Sequence, residues 1–159
     1  MVVCLFAMAA MNESNAVLLS YTLAYVLCLV VIVYVLNFPG WLTESYDIVK
    51  EFYIKNGMRN FFLDWAIIGL YLLFADFFIR KLELRGNASK LAVVAAVCVV
   101  LYGVFYAIFT RTSSLRGSFY HRWFTRVGPR GLAFEIVLVC SVYFVFQKLL
   151  CKFKYHKLI

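Results

Sequence analysis

Three acidic residues stand inside otherwise apolar runs: Asp64 in FFLDWAIIGL, Asp76 in LLFADFFIR and Glu135 in GLAFEIVLVC. A carboxylate at membrane depth either relays a proton or ion, or pairs with a cation and fixes the helices around it. A relay needs an acid near the middle of the bilayer. Asp64 and Glu135 come about four residues into their runs, roughly 6 Å below the rim at 1.5 Å per residue. The positive ends of their own helices favour them there, and Arg122 or Arg126 stands on the same side to pair with them. Asp76 precedes Arg80 by one turn, the order that supports an intrahelical pair. The spacing reads all three acids as pins that set helix register.

The second reactive group is FYHRWFTRVGPRG, residues 119–131. Arg122, Arg126 and Arg130 recur every four residues, so on a helix they form one stripe. Phe119, Tyr120, Trp123, Phe124 and Val127 fall on the adjoining face, and Gly128-Pro129 interrupts the helix. A basic stripe beside an aromatic face describes a helix in the headgroup layer, with its rings at the acyl boundary. The alternative is a docking surface for nucleic acid or an acidic protein, in which rings stack bases and guanidinium groups hold phosphates. The rings stand where an apolar run begins, so lipid accounts for them without sequence-specific nucleic acid. Arg116, Tyr120, Arg122, Trp123, Phe124 and Arg130 are the expected contacts with headgroups or a partner protein, together with Lys152, Lys154 and Lys157 of the tail.

Catalytic chemistry has little to work with. The two histidines, His121 and His156, lie in basic loop or tail positions. No HExxH, nucleophile elbow or phosphate-cradling glycine loop occurs. Cys4, Cys28, Cys98, Cys140 and Cys151 form no CxxC, whereas a metal or redox site needs clustered ligands. They read as small hydrophobes. No enzyme, cofactor or metal is expected.

The elements that must position these groups follow from composition. The chain has 159 residues, 65% hydrophobic and 19% aromatic, with a mean hydropathy of +0.86. Soluble domains carry roughly 45–50% apolar residues, and a chain this size cannot hide such an excess from water. Four runs approach the ~20 residues that cross a bilayer, at about 16–38, 61–79, 91–110 and 131–150. Backbone groups in lipid must bond internally, so these runs are helices. The expectation is an all-α, multi-pass bundle of one domain over 1–159, with interfacial helices at about 43–56 and 118–127. Pro39-Gly40 ends the first span, Thr43 caps the short helix after it, and Asn56-Gly57 closes that helix. The N-terminal MVVCLFAMAAM is too short to span and lacks a signal peptide's basic start. The acceptor patterns Asn12-Glu13-Ser14 and Asn87-Ala88-Ser89 lie too near a span for glycosylation.

The net charge is +8, from 16 Lys and Arg against 8 Asp and Glu. In a membrane protein such an excess collects at anionic headgroups, where each cation gains about 1 kcal/mol. Eight cations flank the spans on each side, so the positive-inside rule gives no orientation. Ala92, Ala96, Gly103 and Ala107 of the third span share a face about 60° wide at 100° per residue. Such a row lets two helices approach closely. Gly103→Leu is therefore expected to disrupt packing, and Val94→Leu is not.

Two stretches, FFLDWAIIGLYLLFADFFIRKL and FYHRWFTRVGPRGLAFEIVLVCSVY, resemble small four-span internal-membrane proteins of large icosahedral DNA viruses. The likeness rests on Asp64, Trp65, Asp76, Arg122, Trp123, Phe124, Gly128 and Glu135 and covers about a third of the chain. It implies a structural protein of a virion internal membrane in contact with overlying minor capsid proteins. Two other classes stay open: an accessory subunit of an organellar, respiratory-type membrane complex, and a small channel or transporter. Homo- or hetero-oligomers suit each of these readings.

Overall fold

The computed structural model describes residues 13–155, with side chains over 14–152. The N-terminal apolar segment, Cys4, Asn12, His156, Lys157 and the side chain of Lys154 lie outside the described residues. The described residues are helical, with no strand among them. Helix α1 (Glu13–Leu29) continues as a π-helical stretch, Val30–Val35; α2 is Phe38–Thr43; α3 (Tyr46–Lys50) continues as π-helical Glu51–Lys55. The long helices α4 (Gly57–Lys81), α5 (Asn87–Arg111) and α6 (Phe119–Tyr155) follow, with one 3₁₀ turn at Ser113–Leu115. The all-α fold holds, and four helices are long and apolar enough to cross a membrane: Ser14–Val35, Gly57–Lys81, Asn87–Arg111 and Phe119–Lys152.

The loop between the first two spans differs from the single helix expected at 43–56. Asn37 takes the left-handed conformation (φ 47°) that asparagine tolerates better than most residues, and Pro39 starts α2 in the first turn, where its missing N–H costs nothing. Thr43 caps nothing. It closes α2, its hydroxyl donating to the Pro39 carbonyl at 2.7 Å. Glu44, also left-handed (φ 54°), turns the chain into α3. The π-helical segments meet where the Tyr34 hydroxyl donates to the Tyr53 carbonyl at 3.1 Å.

Helix α6 is the centre of the packing, lying along both α5 and α1, while α4 packs chiefly on α5. The expected interfacial helix and the fourth span are one element, bent at Gly128, whose φ of 49° and ψ of −131° leave the helical region. Only glycine adopts that geometry without strain. Two turns of α5 bury Val94, Cys98 and Tyr102 at four-residue spacing, against a core that includes Tyr25, Ile68, Phe134, Leu138 and Val142. Tyrosine hydroxyls tie helix to helix without a charge. Tyr25 donates to the Phe61 carbonyl at 3.1 Å, Tyr21 donates to the Trp65 carbonyl, and the Trp65 indole donates to the Thr22 hydroxyl at 3.3 Å.

Among the described residues the row of small residues mostly faces outward. Ala92, Ala96 and Gly103 are exposed and Ala107 is half-buried. A Cβ on Gly103 would meet nothing within 4 Å. Val94, on the opposite stripe, is 1% exposed, so the expectation about Gly103 and Val94 is reversed. Small side chains permit close approach, yet α5 presents its larger residues to α6, where more apolar area leaves lipid-facing surface and fills the core.

Candidate functional site

The arginine stripe of α6 faces the loop between α1 and α4. Arg122 reaches Glu51 at 2.5 Å, Arg126 reaches Asp47 at 2.7 Å and Arg130 reaches Glu44 at 2.8 Å. As α6 runs forward its partners run backward, so the two segments are antiparallel and the three pairs form a ladder. Four-residue spacing on α6 meets three- and four-residue spacing at Glu44, Asp47 and Glu51, both of which hold one helical face. Arg122 also lies over the Phe119 ring, 5.9 Å from its centroid, and donates to the Gly117 carbonyl at 3.1 Å. The pairs are largely exposed, which limits each to about 0.2–1 kcal/mol. Together they fix where the loop lies.

Asp64 and Glu135 are therefore not partners of Arg122 or Arg126. Neither acid has a cation within ion-pair distance among the described residues. On α6 the cause is helical phase: beyond the Gly128 bend, five residues separate Arg130 from Glu135, about 140° of helix. The arginines point to the loop while Glu135 points into the bundle. Both acids also sit deeper than expected, about two turns from the Gly57 start of α4 and from the Gly128 bend. Asp76 and Arg80 are joined at 2.6 Å in an exposed pair on the far side.

Asp64 and Glu135 line one cleft of about 230 Å³, walled by α4, α5, α6 and the segment around Phe52. Its loop-side walls are aromatic. Phe52 lies 4.9 Å from Trp123 between ring centroids, and Phe124 stacks on Phe109 at 5.6 Å. Trp123 and Phe124 are buried, which corrects their assignment as partner contacts: the aromatic face of this helix turns to the bundle, because four helix segments converge there. Tyr120 is half-buried, and its hydroxyl donates to the Asn60 side chain at 3.3 Å. Asn60, 3% exposed, donates in turn to the Phe52 carbonyl at 2.9 Å. Burial, and then the Asp64 and Glu135 carboxylates, hold the Tyr53 phenol well above its ordinary range, so it keeps its proton.

The bend at Gly128 is braced by Tyr102, whose hydroxyl donates to the Gly128 carbonyl at 2.8 Å. Arg116 and Lys152 are exposed and unpaired among the described residues. Several residues escaped the sequence reading, Tyr71 and Tyr102 among them. Glu44, Asp47 and Glu51 carried a usable signal, since their spacing complements the arginines. Asn60 carried none, being one polar residue at the start of an apolar run.

The chain matches no protein-family model, and neither a curated protein nor a solved structure is significantly similar to it.

Proposed function

We propose that this is a non-enzymatic structural membrane protein whose loop face anchors an overlying protein layer to a bilayer. The ladder of Arg122–Glu51, Arg126–Asp47 and Arg130–Glu44 carries this reading, because it holds a non-spanning segment in one fixed place. A docking face benefits from such order, since a mobile loop would lose its freedom again on binding. The ladder consumes three cations but leaves Lys50, Lys55, Arg59, Arg111 and Arg116 exposed around it, suited to an acidic partner surface or to anionic headgroups. Exposed Trp41 and Tyr46 stand in the same loop, and aromatic side chains are favoured contacts. The likeness to virion internal-membrane proteins supports capsid proteins as the partner.

A channel would need the Asp64–Glu135 cavity to join the cavity of about 730 Å³ on the far side, lined by Leu72, Asp76 and Arg80, and no residue lines both. That favours the structural reading over transport. Photoreactive residues at Lys55 and Arg116, activated in native membranes, test it. The reading requires discrete protein adducts at these positions and none at Lys152. Lipid adducts alone at all three positions would overturn it.

A further inference from the structure

The Asp64–Glu135 cavity has a composition that the anchoring role does not use. Two carboxylates line it without a cation. Tyr71 and Tyr53 line it too, 2% and 8% exposed. Neither phenol hydroxyl donates to another described group, although Tyr21, Tyr25, Tyr34, Tyr102 and Tyr120 all do. Among the described residues no fully enclosed side-chain polar atom lacks a partner, so these hydroxyls retain a small accessible surface, and both residues line the cavity. Buried polar groups left open in this way call for an occupant that can satisfy them. The volume, about 230 Å³, is many times what one water needs.

The lining selects among occupants. Two acids in one cavity without a cation would be held in their ionised form by a positively charged occupant. A divalent metal takes six to eight oxygen ligands or near-octahedral geometry, and no group of three His, Cys, Asp or Glu side chains gathers among the described residues. The rest of the wall is mostly aromatic, including Trp123 and Phe124, with Leu63 and Ile67 beside them. Such rings attract soft organic cations, as in aromatic cages for quaternary ammonium groups. A primary ammonium could also donate hydrogen bonds to the carboxylates and the phenol oxygens.

We propose that the cavity lined by Asp64, Glu135, Tyr53, Tyr71 and Trp123 binds an organic ammonium group, free or carried by a lipid headgroup. The carboxylates neutralise its charge, the ring of Trp123 covers its methyl or methylene carbons, and the phenols fix its orientation.

Trp123 makes the site observable. The full chain in detergent is titrated with choline chloride, and with sodium chloride at matched ionic strength, while tryptophan fluorescence is followed. Choline should give a saturable change that sodium does not, and Trp123→Phe should remove it. Asp64→Asn and Glu135→Gln should each weaken choline at least tenfold, and Tyr71→Phe, which removes one hydroxyl, severalfold. Absence of a saturable change, an equal response to sodium, or unchanged affinity in the carboxamide variants would overturn the proposal. If those variants do not fold, Tyr71→Phe and the sodium comparison decide, and unchanged affinity in Tyr71→Phe counts against the site. Repeating the titration in nanodiscs of phosphatidylglycerol, with and without phosphatidylethanolamine, separates the sources. Competition by the ethanolamine lipid assigns a headgroup, its absence assigns a free amine, and both uphold the ammonium site.

Discussion

Arg122 on the last helix donates to Glu51 at 2.5 Å, across 71 residues of sequence. The contact is the most enclosed rung of the ladder, with side-chain exposures of 41% and 29%, against 58% and 69% at Arg126–Asp47. Exposure sets what each rung contributes, since water screens the outer pair more strongly.

The rungs should therefore rank by burial. Asp47→Asn should cost about 0.2–1 kcal/mol, and Glu51→Gln should cost more because it strands a partly enclosed guanidinium. Thermal unfolding in detergent measures both. Raising salt from about 0.05 M to about 1 M should shrink the Asp47 effect the most. A larger loss from Asp47→Asn than from Glu51→Gln would contradict the ranking.

Gly131 tests the bend in α6. A Cβ there would lie 2.5 Å from the Tyr102 hydroxyl and 2.9 Å from Val127 Cγ1. Gly131→Ala should destabilise by about 1–3 kcal/mol, as overpacking does. Tyr102→Phe alone should cost about 1 kcal/mol through the lost bond to Gly128. In the double variant the clashing oxygen is gone, so the two losses should fall short of additive. Strict additivity would mean that the Tyr102 hydroxyl does not lie against Gly131.

The outward row on α5 separates two readings of the same small residues. Gly103→Leu should leave stability within about 0.5 kcal/mol, the usual range for surface changes. Val94→Leu should cost about 1–3 kcal/mol, because it enlarges a side chain that is 1% exposed. Denaturation of the two variants side by side gives the comparison, and the reverse order would restore the row as an internal contact.

The spans were legible because each is a long apolar run, and length plus hydropathy decides what lipid accepts. The intrahelical Asp76–Arg80 spacing was equally local, and the structure joins the two residues. Pairings between elements were another matter. Asp64 and Glu135 lie on the arginine side of the bundle, so sequence distance favoured Arg122 and Arg126. Helical phase then turned the arginines to the loop and the acids to the cavity. The face of α5 was lost for a related reason: a row of alanines marks a surface that could pack, and only the neighbouring helix determines whether it does. Thr43 carried a capping side chain, but the left-handed turns at Asn37 and Glu44 divided the loop into shorter pieces.

All of these readings rest on four crossings that put the ladder and the α4–α5 link on opposite sides of a bilayer. Single cysteines at Ser45, Ser114 and Leu84, each in a chain otherwise free of cysteine, can be labelled in sealed vesicles with a membrane-impermeant maleimide. The account requires Ser45 and Ser114 to label from one side and Leu84 from the other. Labelling of all three from the same side would contradict it.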